Sequence, residues 1–265
     1  MNCVFWNVGK KKVNDLLINL IEEFNCHLIS IAEYNEDKND LLRKLQRKGY
    51  DFYHLEKIGC QRIDIFSVFK PGEIKPLSEE TSYFTFKSIP HKTLGRLVFS
   101  FVHFPSKLHM SDVDYLVEST HLKNALEKVE QDVGSNLTVM TGDFNMNPFE
   151  MGMMTTAGLH AYSTKLEANM LTRTVKKREY NTLFNPMWNF FGDKNSPSGT
   201  YYYPKAEHLH FYWNIFDQVI IRPSLIEHLD TNEIKIITKI GNTELINDKG
   251  IPKVSDHLPL YFTIM

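Results

Sequence analysis

Three cysteines in 265 residues, at Cys3, Cys26 and Cys60, are few, far apart and odd in number. They form no disulfide framework, and the lack of a CxxC pair excludes the common zinc arrangements. No charge of one sign dominates: 30 Lys and Arg face 32 Asp and Glu, for a net charge of -2. That excludes a protein that coats nucleic acid by bulk positive charge, though not one with a local basic patch. No apolar run approaches the roughly 18 residues that cross a bilayer. The N-terminal MNCVFWNVGKKK puts its lysines after a short apolar stretch, the reverse of a signal peptide, so a cytoplasmic location is expected, with no membrane involvement. No Pro/Gly/Ser linker, internal repeat or low-complexity segment divides the chain, so one domain over residues 1–265 is expected.

The 42% of hydrophobic residues is arranged as short apolar runs that end in polar residues. Strands are expected at Asn2–Asn7 and Cys26–Ala32, with amphipathic helices at Lys11–Phe24 and Asn39–Lys48 and Gly49 as a helix stop. Strands without intervening helices follow at Asp51–Leu55, Arg62–Phe69, Tyr83–Ser88 and Leu97–Phe104. Ser111–Val133 is the longest helical segment, and Asp112 and Asp114 suit its N-terminal dipole. Leu137–Met140 reads as a buried strand running into Thr141-Gly142-Asp143. His160–His210 is weakly patterned, as functional surface or irregular cover often is. Strands close the chain at Phe216–Ile221, Glu233–Lys239 and Leu258–Ile264. This order favours an α/β fold: a four-layer α/β/β/α sandwich of two packed, mainly antiparallel sheets flanked by helices.

The polar residues of interest sit where strands end: Asn7, Glu33, His103, Asp143, Asn145, Asp217, Asp256 and His257. Asp143 and Asn145 flank Phe144, so both side chains point the same way if that segment is extended. Each alone reads as a solvated strand terminus. Gathered on one rim, carboxylates and amides suit a hard divalent ion such as Mg2+, and the histidines supply proton transfer or a hydrogen bond to developing negative charge.

The segments NCVFWN (2–7), ISIAE (29–33), VHFPSK (102–107), TGDFNMNP (141–148), FDQVI (216–220) and SDHLP (255–259) resemble the endonuclease/exonuclease/phosphatase superfamily, in its order and across nearly the whole chain. The pairing of GDFN with a later SDH is the most specific part. The resemblance implies that Glu33 is the principal metal-binding carboxylate, Asn7 its supporting amide, and Asp256 a residue at or beside the metal. It implies that Asp143 and Asn145 position the attacking water and contact the scissile phosphate. His257 would be general base or phosphate stabiliser, Asp217 the carboxylate that orients it, and His103 a group that helps the leaving group depart. The cofactor expected is Mg2+, with Mn2+ able to replace it. Ala32 departs from the family, where many members carry Gln.

Further substrate contacts are expected from Lys107, Arg62, Thr200 and Asn214, and from the basic stretch Arg173, Lys176, Lys177 and Arg178 with nearby aromatics, which could hold a nucleic-acid backbone. The reading is a metal-dependent phosphodiester hydrolase, a nuclease on DNA or RNA, with nucleic acid as substrate and no obligate protein partner. The alternatives are a phosphatase or phosphodiesterase on a phosphorylated small molecule or lipid head group, and a non-catalytic nucleic-acid-binding relative. The run Phe144-Asn145-Met146-Asn147-Pro148 after Asp143 lacks the longer motif of the family's inositol phosphatases, and retention of Glu33, Asp143 and His257 argues against a non-catalytic role.

Overall fold

The computed structural model describes residues 1–77, 81–192, 196–205 and 211–265. In chain order the elements that build the two main sheets and their cover are β1 (Asn2–Asn7), α1 (Asn14–Phe24), β2 (Leu28–Ala32), α2 (Lys38–Arg47), β3 (Tyr53–His54), β4 (Ile63–Ser67), β5 (Lys75–Pro76), β6 (Phe84–His91), β7 (Gly95–His103), α3 (Asp112–Val133) and β8 (Thr138–Asp143). They continue with α4 (Met151–Met154), β9 (Ala161–Tyr162), α5 (Lys165–Ala168), β10 (Thr172–Val175), β11 (Arg178–Asn181), β12 (Leu183–Phe184), β13 (Tyr201–Tyr202), β14 (Trp213–Asn214), β15 (Asp217–Ile221), β16 (Lys235–Ile236), β17 (Lys239–Ile240), β18 (Thr243–Glu244) and β19 (Leu260–Thr263).

Among the described residues, one sheet has six strands in the order β16-β19-β1-β2-β4-β3, and the other seven in the order β5-β6-β7-β8-β15-β12-β9. The pairs β1/β2, β7/β8 and β9/β12 run parallel and the other neighbours antiparallel, so the sheets are mixed but mainly antiparallel. Alternate residues of each strand enter different cores, which is why the strands read as continuous apolar runs. Cys3, Leu28 and Ile65 meet Phe99, Phe101 and Val139 between the sheets. Val4, Trp6 and Ile29 face Leu17 of α1 and Leu41 of α2, while Val98 and Met140 face Leu122 and Leu126 of α3. The result is the expected four layers.

Local chemistry sets the helix limits. α3 starts in a capping box between Ser111 and Asp114 and ends at Gly134, whose φ of 66° closes the last turn. α1 starts at Asn14 rather than Lys11, because Lys10 adopts φ 61° and the Glu36 carboxylate caps the amides of Val13 and Asn14 from a distant loop.

Most strands differ from expectation only at their ends. Asp51–Leu55 contracts to the two residues of β3. Glu233–Lys239 is not one strand: β16 joins the first sheet, while β17 pairs with β18 in a separate hairpin. Consecutive Ile236 and Ile237 both pack inward, which breaks the alternation one strand requires. The weakly patterned stretch supplies β9 and β12 at a sheet edge, in pieces too short to show a period; its residues 193–195 and 206–210 lie outside the described residues.

Candidate active site

Strand register assembles the rim. Asn7 pairs with Ala32, the residue before Glu33; His103 pairs with Asp143; and Asp143 pairs in turn with Asp217. β7 and β8 approach so closely that a Cβ on Gly142 would lie 1.9 Å from the Val102 carbonyl oxygen, so only glycine fits before Asp143. The SDH segment enters beside them: Ser255 Oγ donates to the Asn7 carbonyl at 2.9 Å, and Trp6 Nε1 to the His257 carbonyl at 3.0 Å.

A cleft of about 870 Å³ opens on this rim, lined by Asn7, Glu33, His103, Asp143, Asn145, Asp256 and His257. Asp217 lies behind it, fully buried. Its Oδ2 is 2.8 Å from His257 Nδ1, and His257 Nε2 in turn faces Asp143 Oδ2 at 3.8 Å. Asn7 Nδ2 donates to the same Asp143 oxygen at 3.0 Å, and the Asn145 amide donates to its partner oxygen at 2.9 Å. His103 Nε2 stands 4.0 Å from both Asp143 Oδ2 and Glu33 Oε1. Asn145 is not extended as expected; its φ of 50° turns the side chain so that Nδ2 donates to the Phe104 carbonyl at 2.9 Å, and it still borders the cleft. Glu33 also has a left-handed backbone, φ 54°, a conformation that costs a non-glycine residue about 1–3 kcal/mol and clusters at functional sites.

Burial sets the charges. It pushes the Asp143 carboxyl up to about 7, with help from Asp217 and against His257 and the donors Asn7 and Asn145. For His257 burial works against the cation, but the carboxylates of Asp217 and Asp143 overcome it and raise the group to about 10. His103 is held down at about 4, by burial first and then by the charges of Arg62 and His257. At neutral pH His257 is therefore cationic and His103 neutral.

Asp143, Asp217 and His257 offer donor atoms that all lie within 4.8 Å of one another, a spacing compatible with metal ligation. The hydrogen bond to Asp217 already occupies His257 Nδ1, whereas Glu33, Asp256 and Asn7 border the cleft and offer carboxylate and amide oxygens, the Asn7 Oδ1 also accepting from the Gly9 amide at 3.1 Å. Such a donor set fits a hard divalent cation.

The expected substrate contacts divide. Arg62 borders the cleft, its guanidinium 5.1 Å from the centre of the Tyr83 ring. Thr200 does not: it is fully buried, and its Oγ1 accepts from the amides of Phe216 (3.2 Å) and Asp217 (3.0 Å), so it positions Asp217 instead of binding phosphate. Lys107 is paired with Glu150, and Asn214 is buried with its Oδ1 accepting from Asn147 Nδ2 at 2.9 Å; both border a neighbouring cavity. Arg173, Lys176, Lys177 and Arg178 lie on the β10–β11 hairpin, outside the cleft lining. That hairpin leads into β12, where Phe184 pairs with Ile221 at the end of β15 away from Asp217.

Sequence reasoning missed Lys11, His109 and Lys253 on the cleft wall, and the part played by Tyr201. The Tyr201 ring centre is 4.5 Å from that of His257 and stacks on Phe216 at 5.1 Å. The lysines lie in loops where only their charge could have marked them.

The sequence matches no protein-family model and no curated protein. Solved structures do match over the whole chain. An AP endonuclease from Archaeoglobus fulgidus is 15% identical with a TM-score of 0.56, and the match covers 100% of this chain and 99% of that one. An endonuclease/exonuclease/phosphatase family protein from Leptotrichia buccalis is 15% identical at TM-score 0.55, with the same coverage of both chains. The 3′ phosphatase NExo from Neisseria, bound to a product DNA hairpin, is 14% identical at TM-score 0.55, again covering 100% and 99%.

Proposed function

We propose that this chain, which has the fold of the endonuclease/exonuclease/phosphatase superfamily, is a metal-dependent phosphoric ester hydrolase that cleaves nucleic acid. The observation that carries the reading is the buried Asp217–His257 pair at 2.8 Å, aimed at Asp143 across 3.8 Å on a cleft that Glu33 and Asp256 border.

Each residue has a role that follows from its surroundings. Asp217 fixes the His257 ring through Nδ1 and favours its charged form, leaving the Nε2 proton to hydrogen-bond an anionic phosphoryl oxygen. Asp143, raised toward neutrality by burial, is suited to take the proton from a water as its oxygen attacks phosphorus. Asn7 and the Asn145 amide aim that carboxylate by donating to its two oxygens. His103, neutral and adjacent, adds a hydrogen-bonding group without charge repulsion toward the cation. Glu33, Asp256 and the Asn7 oxygen would hold a divalent ion, which when bound would neutralise phosphate charge and so ease the approach of water.

The choice of nucleic acid rests on Lys11, Arg62 and Lys253 around the cleft, which suit phosphates flanking the one attacked. It also agrees with the DNA-bound 3′ phosphatase and the AP endonuclease of the same fold. The test is a product assay on plasmid, single-stranded DNA, single-stranded RNA and a panel of phosphomonoesters, with and without Mg2+. Metal-dependent chain cleavage is the expected result. Phosphate release from monoesters alone would move the protein to the phosphatase reading.

A further inference from the structure

The cleft continues past its catalytic end. Ser106, Asn145 and Tyr201 also border a neck of about 150 Å³, and Lys107 and Asn214 are common to that neck and a second cavity of about 550 Å³. That volume is in the range of small-molecule subsites. Phe149, Phe211 and Met110 line the cavity above the buried Tyr115 and Met146, and Lys107 Nζ lies 5.2 Å from the centre of the Tyr115 ring. Phe149 and Phe211 meet edge to face, with ring centres 6.0 Å apart, yet Phe211 remains 60% exposed. An aromatic ring held against another and still open to solvent is a stacking surface.

The polar groups on the floor are already committed. Asn147 donates to Asn214 Oδ1 at 2.9 Å and accepts from the Ile215 amide at 2.9 Å, while Glu150 takes Lys107. The cavity therefore offers flat apolar faces with little directional pattern, which suits a planar ring whatever its edge. An acyl chain is a poorer occupant, because Asp112 puts a carboxylate in the wall. The catalytic cleft itself carries cations at Lys11, Arg62 and Lys253, none of which borders this cavity. The cleft thus suits a phosphate backbone and the cavity a base.

We propose that this cavity is a subsite for an unpaired nucleobase neighbouring the scissile phosphate, and that the substrate is a single strand or a frayed end. The inference rests on the nucleic-acid reading above and narrows it. A base inside a duplex is stacked and paired on both sides, and reaches such a cavity only by leaving the stack.

The test is a fluorescence titration in Mg2+ with hydrolysis-resistant phosphorothioate single strands, DNA and RNA, carrying 2-aminopurine. Wild type is compared with Phe211→Ala, Phe149→Ala and Phe211→Tyr, and cleavage of unmodified single strands and blunt duplexes is measured in parallel. Stacking predicts quenching by wild type and Phe211→Tyr, its loss in both alanine variants with about 5- to 100-fold weaker binding, and faster cleavage of single strands. Equal binding and quenching by all four proteins, with single strands still cleaved, overturns the subsite and leaves the nuclease reading intact. Strands neither bound nor cleaved, while a phosphomonoester or phospholipid is hydrolysed, overturns both.

Discussion

His257 Nδ1, on the cleft wall, and Asp217 Oδ2, buried behind it, lie 2.8 Å apart, although forty residues separate them in the chain. The contact exists because β15 and the SDH segment are tied to one another through Thr200: its hydroxyl takes the Asp217 amide, and its carbonyl takes the Leu258 amide at 2.8 Å.

Asp217→Asn keeps the shape of that contact and removes its charge. The His257 imidazolium loses its strongest support and its fixed tautomer, so kcat/KM falls by about a hundredfold to ten-thousandfold. The loss should appear in kcat with little change in KM, as expected for a group that acts behind the substrate. A main effect on KM would contradict this role.

Thr200→Val keeps the volume of the side chain but leaves the Phe216 and Asp217 amides without their acceptor. Each buried amide so stranded costs about 1–3 kcal/mol. The melting temperature drops, activity drops with it, and Thr200→Ser recovers both. Activity lost with full thermal stability would instead favour direct contact with substrate.

Asp64 provides a test of pH dependence away from the catalytic rim. Burial disfavours its charge, but hydrogen bonds from His54 at 2.8 Å and from Lys57 at 2.6 Å outweigh that and hold the carboxyl below its ordinary value. A carboxyl lowered on folding stabilises the protein above its unfolded value, and that contribution is lost as pH falls through the folded one. Asp64→Asn should therefore reduce stability at pH 7 and flatten the loss of stability below about pH 4. Parallel acid-denaturation curves for the two proteins would count against the assignment.

The two basic regions should separate in salt. Lys11→Gln and Lys253→Gln, on the cleft wall, each reduce the slope of log affinity against log salt for oligonucleotides by about 1. Neutralising Arg173, Lys176, Lys177 and Arg178 together on the β10–β11 hairpin leaves that slope unchanged. The reverse pattern would return the hairpin to the substrate path.

The rim was legible because its residues mark strand ends, and strand ends are local. Asn7, Glu33, His103, Asp143, Asn145, Asp256 and His257 all reach one cleft, and Asp217 stands directly behind it, as the ordered motifs imply. The four layers followed from the order of apolar runs. What the chain hid depends on distant neighbours. Lys107 looks like a free cation until the fold brings it to Glu150, and Thr200 like a loop hydroxyl until β15 is placed beneath it. The basic hairpin is the strongest charge run in the sequence, yet charge carries no information about which end of a sheet it will occupy. Tyr201 supports His257 through ring packing, which no motif spells out.

The catalytic roles of Asp143 and His257 are tested by cleavage with Asp143→Asn and His257→Ala, each shown to be folded by its melting curve. Their rates on the ester that wild type cleaves are compared with wild type in Mg2+ and in EDTA. Each substitution, and removal of the metal, should lower the rate by about a thousandfold or more. Wild-type rates in both folded variants, or a rate in EDTA equal to that in Mg2+, would contradict this.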